Sequence, residues 1–386
     1  MKPFELNQFA FEGISHARID DLSTISGADK ERLIMSGVDV DEAGSRAGSF
    51  LHMDHGNVHC RSRHEAVEIL DIKDALTKYD GLPGHFWTLV DPDKDEYTRT
   101  ANEHLQGGYF IKVAAGAKIA TPVQSCLFIK GQKAGQSVHN VVIVEEGAEV
   151  HILTGCAVAN EQSEAVHVGV SEFFVKKGGK LTFSMIHNWG EHMNVVPRTG
   201  GIVEAGGVFQ NNYILLKQVK YLQSYPTITL AGPGARARFN SVLVAPKGSY
   251  VDTGSRIIMD APDTRGEIIS KTITTGGTII ARGHIQANYA PAKGHLECKG
   301  LILGGGRIHA IPELDGRVEG VELSHEAAVG KIARREIEYL MARGQDEDEA
   351  TSTIVRGFLN VDIMGLPDKL HAAIEKTISE SEKDMF

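Results

Sequence analysis

From Gly107 onward, short apolar and β-branched runs recur, each opened by a small-residue turn: "GAKIATP", "GAEVHILTG", "GGKLTFSMIHN", "GGVFQNNYILL" and "GARARFNSVLV". The opening glycines Gly147, Gly178, Gly206 and Gly234 are 31, 28 and 28 residues apart, and Gly266 follows after 32, with an extra turn at Gly276. A near-constant period of this length marks stacked repeats. Each repeat holds strands and no helical pattern, which excludes a doubly wound sheet, because parallel strands there need helical crossovers. The pattern predicts a coil of strands, a β-helix whose inward residues stack along one axis. An antiparallel sandwich is the competing reading, since it also shows short, evenly spaced strands.

The flanks read differently. Residues 1–105 predict a small mixed α/β region, with short helices at "GADKERLIMSGV" and "HEAVEILDIKDALTKYD" and a loop at "GLPGHFWTLVDPDKDEYTR". In the second helix, Val67, Leu70 and Leu76 fall at roughly helical spacing. Residues 106–325 form the repeat core, and residues 326–386 read as helical. There Ile337, Leu340 and Met341 share a face and Gly344 fits a helix C-terminus. Asp346 and Glu349 match a capping box before Ile354, Val355, Phe358 and Leu359, and Pro367 opens a last helix with Leu370, Ile374 and Ile378.

Composition narrows the function. The 386 residues include 42 glycines and only 6% aromatics, which suits many tight turns. The formal net charge of -10 argues against a general nucleic-acid binder. No window approaches the ~20 consecutive apolar residues of a membrane helix, and "MKPFELNQFAFEG" lacks a signal-peptide pattern. The four cysteines, Cys60, Cys126, Cys156 and Cys298, show no CxxC spacing, so reduced thiols in a cytoplasmic protein are expected.

Several motifs fail on inspection. "SHEAAVGK" opens like a zinc protease HExxH, but Val329 stands where the second His should be. "LILGGGRIHA" has no GK[ST] and no following helix, so it reads as a coil turn rather than a phosphate loop. No GxSxG elbow occurs, and no carboxylate pair stands out as in glycoside hydrolysis. Trp87 and Trp189 are the only indoles, thin provision for stacking sugars. The run His52, His55, His59, Cys60 and His64 has zinc-like spacing but no second knuckle, which favours a structural role. His187 and His192 read as satisfied strand residues. Taken alone, Cys298 in "GHLECKGLIL", at the start of a strand run, reads as a small buried hydrophobe.

Longer stretches carry a family resemblance. "GGYFIKVAAGAKIATPVQ", "VVIVEEGAEVHILTGC", "SMIHNW", "DTGSRIIMDAPDTRGEIISKTI", "CKGLIL" and "LSHEAAVGKIARREIEYLMARGQDEDEATSTIVRGFLN" are similar to SufB/SufD proteins, β-helical subunits of an iron–sulfur cluster assembly machine. The resemblance spans about residues 107–365 and implies a right-handed parallel β-helix with a helical C-terminal domain. It implies pairing through the coil edge, either of two copies or with a related SufB/SufD chain. It also implies docking of an ABC-type ATPase (SufC) on the helical domain and apo iron–sulfur proteins as acceptors of a transient cluster.

By the same resemblance, Cys298 and Glu326 fall on SufB positions proposed to hold the cluster, and His325 falls on a SufD histidine offered across the interface. "RTGGIVEAGG" (198–207) lacks the further cysteine of SufB proteins fed by a sulfur-transfer partner; Val203 or a neighbour stands there. The expectation is a scaffold rather than an enzyme, with Cys298, Glu326 and His325 as metal and cluster ligands. One thiolate per chain cannot fill four ligand positions, so twofold pairing is needed. The other expectations are a structural subunit that clamps the ATPase without a cluster, and a carbohydrate-active β-helix enzyme. On the bland reading, His325 and Glu326 are a charge pair at a helix start.

Overall fold

The structure is a computed structural model that describes residues 4–25, 27–41 and 46–359. From Tyr109–Val113 to Val321–Gly330 the chain winds as a β-solenoid, about 8 turns in all, with two long sheets whose strands pair in parallel from coil to coil. Parallel pairing at every step removes the antiparallel sandwich. One sheet runs through the strands Val123–Ile129, Glu149–Val158, Lys180–Asn188, Val208–Leu215, Arg236–Ala245, Thr264–Thr274, Ala292–Ile302 and Val321–Gly330. This is the sheet that carries the candidate site. The facing sheet ends in Thr278–Ala287 and Arg307–Gly316.

Inward side chains stack into a continuous apolar column that includes Val150, Leu181, Phe209, Phe239, Ile268, Leu296 and Cys298. Period-2 alternation places every second residue of each strand there. The corners explain the glycine period. Gly116, Gly147, Gly178, Gly206 and Gly234 all have φ between 64° and 72°, and the turn of each coil lies over that of the one before. A second corner uses Gly248, Gly276 and Gly304, also at positive φ.

Gly266, expected as the next turn, instead lies inside Thr264–Thr274; a Cβ there would meet Ile257 Cγ2 at 3.1 Å. The corner it was expected to fill belongs to Asp263, which takes φ 59°. Aspartate tolerates this left-handed conformation better than most side chains.

The first end of the coil is closed. Gly56–Ser62 adds antiparallel to Gly48–Met53 on one sheet, and Val67–Asp71 adds antiparallel to Tyr109–Val113 on the other. Cys60 Sγ donates to the Ile69 carbonyl (3.3 Å) between them. The expected helix at 64–80 is therefore half strand. Val67 and Ile69 enter the coil core, and the helix Ile72–Lys78 begins only after Asp71 caps it by accepting from Lys73 N. The expected helix near residue 30 is present as Gly27–Met35.

The 86–90 segment is fastened to the coil by a buried carboxylate. Glu172 accepts the backbone N–H groups of Trp87 (2.7 Å), Thr88 (2.8 Å), Leu89 (2.6 Å) and Val90 (3.2 Å), and the Nε2–H of His139 (2.8 Å). Burial would raise the Glu172 pKa, but the His139 bond and charge and the peptide donors outweigh it and hold the carboxyl below its usual range.

The second end is bare. Arg307–Gly316 and Val321–Gly330 are the last strands of their sheets, and no strand among the described residues pairs with their outer edges. Leu314, Val318 and Val329 are exposed there, at 38%, 39% and 42%. Beyond this coil the helices Arg334–Met341 and Glu347–Leu359 follow. The expected capping box is formed: Glu349 N donates to Asp346 Oδ1 (2.8 Å) and Asp346 N to Glu349 Oε2 (3.1 Å). Val355 is buried against Val242, Val244, Ile273 and Leu303, so this helix packs on the outer face of the site-bearing sheet. The helix expected after Pro367 lies outside the described residues.

Candidate metal and cluster site

Ala292–Ile302 and Val321–Gly330 pair in parallel with Leu296 opposite His325, Glu297 opposite Glu326 and Cys298 opposite Ala327. Burial alternates along the first strand: Leu296 and Cys298 are buried, while His295, Glu297 and Lys299 are only half-buried. Register carries this parity to the next strand. Cys298 and His325 therefore belong to the inner face, and Glu297 and Glu326 to the outer. His325 is nonetheless exposed, because no coil follows to cover it.

Cys298 is the seventh of eleven residues in its strand, rather than at the strand's start, and only 3% exposed. Burial, with help from the Glu297 charge, pushes its thiol up to about 11. Ser270 lies in register with it one coil back. A cavity of about 60 Å³ inside the coil, lined by His187, Tyr213, Ser241, Ser270 and Arg282 among others, brings polar groups to this side of the strand. It is large enough for a few water molecules.

On the outer face, Lys299 Nζ lies 2.9 Å from Glu297 Oε1 and 3.8 Å from Glu326 Oε1. His295 Nδ1 hydrogen-bonds Ser324 Oγ at 2.9 Å. His325 and Glu326 both sit on the terminal strand and not at a helix start; the next helix begins at Arg334. The structure thus brings Cys298 and His325 to one face and Glu326 to the other. It adds His295, Glu297 and Lys299 around Glu326. Strand alternation within "GHLECKG" was the available signal for these three, but only the register tells which of them meet Glu326.

The histidine run is structural. His52 is fully buried with Nε2 3.0 Å from the Asp54 carbonyl, His55 Nδ1 accepts from Ile14 N, and His64 Nδ1 accepts from Ala66 N. His59 is bonded on both nitrogens, to Ser49 Oγ and to the Ile19 carbonyl. These partners scatter the rings, and the run holds no group of three metal-ligating side chains among the described residues. His187 is buried and bonded to Tyr213 OH; His192 lies 3.5 Å from Glu191. The Gly304 turn is a coil corner, as expected.

Residues 127–358 match the family model described as "SUF system FeS cluster assembly, SufBD core domain". The chain belongs to the SufB/SufD family. An Archaeoglobus fulgidus "Iron-sulfur cluster assembly SufBD family protein" is 49% identical over 361 residues, covering 93% of this chain and 97% of that protein. A Methanothermobacter thermautotrophicus protein of the same description is 42% identical over 380 residues, covering 97% and 92%. The Bacillus subtilis "Iron-sulfur cluster assembly protein SufB" is 31% identical over 310 residues, covering 78% of this chain and 66% of that protein. Membership in the SufB/SufD family supports a role in iron–sulfur cluster assembly. No helix among the described residues is long and apolar enough to cross a membrane.

Proposed function

We propose that this chain is a scaffold on which iron–sulfur clusters are assembled and from which they pass to apo proteins, working with an ABC-type ATPase of the SufC kind. The observation that carries the reading is the position of Cys298, one strand in from the bare end of the coil, with His325 and Glu326 on the terminal strand itself. Two copies meeting at this end supply two thiolates, with carboxylate or imidazole donors completing four positions. Carboxylate and imidazole bind a soft cluster less firmly than thiolate does. That suits a protein that must release its cargo.

The helices that follow the terminal strand connect directly to this end, and Val355 anchors them on the same sheet. An ATPase docked on them gains a mechanical link to the thiol, which is covered while the coil is at rest. Opening or reshaping of the paired ends is then a two-state change driven by nucleotide. The test is anaerobic reconstitution with iron and sulfide, read by visible and Mössbauer spectroscopy. Wild type is expected to hold a cluster and Cys298→Ser to lose most of it; full cluster content in Cys298→Ser overturns the ligand assignment.

A further inference from the structure

The outer face of the last two strands carries a donor set of its own. His295 and Glu297 are two residues apart on one strand and so share a face. Glu326 stands in register beside Glu297. One donor atom from each of the three lies within 4.8 Å of the other two, close enough to meet one ion.

Two further features prepare the set. Ser324 Oγ lies 2.9 Å from His295 Nδ1 and 3.4 Å from the Gly294 carbonyl. That hydrogen bond holds the ring in place, as the outer partners of metal-binding histidines do. Glu297 and Glu326 stand abreast at the roughly 4.8 Å spacing of neighbouring strands, an arrangement in which like charges repel. Lys299 sets its ammonium against both carboxylates. A cation is thus already wanted at this point, and lysine, a mobile point charge on a flexible stem, can withdraw when a stronger one arrives.

We propose that His295, Glu297 and Glu326 form a binding site for a first-row divalent ion on the outer face of the sheet, separated by the sheet from the thiol of Cys298. One imidazole and two carboxylates suit Fe2+, Mn2+, Co2+ or Zn2+ better than Cu+ or an all-thiolate cluster. Three donors on an open face leave coordination positions to water, so the ion exchanges readily. The naming of Fe2+ as the ion carried rests on the scaffold reading, in which Glu326 then meets iron on one face and sulfide-bearing groups at the edge; the site itself does not depend on that reading.

The test is anaerobic titration of the full chain with Co2+ in a Cys298→Ser background, followed by visible absorption of the bound ion, with Fe2+ as competitor. One equivalent per chain is expected. His295→Gln and Glu297→Gln, each added to that background, are expected to weaken it at least ten-fold. Both side chains point away from the core, and matching circular dichroism and melting curves verify that the variants fold. Absence of stoichiometric Co2+ binding, or equal binding by His295→Gln, overturns the proposal. Cluster reconstitution on the chain with Cys298 intact separates the two ideas: Co2+ binding without any cluster sinks the scaffold alone, and a cluster without Co2+ binding sinks this site alone.

Discussion

Cys298 and Glu326 lie on neighbouring strands one residue out of register, and so they face opposite sides of the same sheet. The thiol looks into the coil and the carboxylate looks out. Anything that uses both must reach round the terminal strand or wait for that strand to shift.

This geometry makes Cys298 slow to react at rest. With its thiol at about 11, against an ordinary value of 9.0, its thiolate fraction at pH 8 falls about 100-fold. Its 3% exposure slows attack further. Alkylation by iodoacetamide at pH 8, followed by peptide mass spectrometry, is expected to label Cys298 at least 100-fold more slowly than a free cysteine. Addition of the ATPase and nucleotide is expected to raise that rate.

The bare end predicts self-association. Leu314 and Val329 are exposed there, on the last strand of each sheet. Leu314→Asp and Val329→Asp are expected to shift the protein from dimer to monomer in light scattering. As exposed positions in the isolated chain, they are expected to alter its stability by no more than about 0.5 kcal/mol. A dimer that persists in the double variant places the contact elsewhere.

Glu172 offers a stability test far from the site. Alanine there strips four peptide N–H groups and His139 of their acceptor. The expected loss is at least about 3 kcal/mol, since each buried donor left without an acceptor costs about 1–3 kcal/mol, read by urea unfolding. Limited proteolysis is expected to open the 86–90 segment first.

Acid should unfold the coil through its buried histidines. Burial drives His52 and His187 to about 3 and His151 and His167 to about 4, from an ordinary 6.5. The unfolded chain binds protons at these rings before the folded one does. Stability is therefore full above pH 6.5 and falls as pH drops through 6.5 toward 3–4, by up to about 1.4 kcal/mol per pH unit for each ring. Melting temperatures measured from pH 7.5 to 4.5 are expected to fall steadily, and His187→Gln is expected to flatten the slope.

Much of the fold was readable because the coil repeats. Gly147, Gly178, Gly206 and Gly234 stand at corners that need positive φ, and that need writes itself into the chain at nearly constant spacing. The signal failed at Gly266, where an aspartate took the corner and a glycine was needed inside a strand to make room for Ile257. It failed again at Val67–Asp71, where tertiary pairing with Tyr109–Val113 overrode a helix-like spacing. The candidate residues Cys298, His325 and Glu326 came from resemblance, while their division between two faces needed the register. His295, Glu297 and Lys299 were missed because nothing within one strand tells which residue of the next strand stands beside it.

Closure at one end and not the other has a consequence for how many copies can gather. A strand edge left open at both ends would invite endless addition, the route to fibres. Here Val67 and Ile69 are buried over the core at the start of the coil, and Ile19 N donates to the Val58 carbonyl of the outermost strand (2.7 Å), so the exposed apolar terminus is the other one. If two such termini join, both are used up and growth halts at a pair.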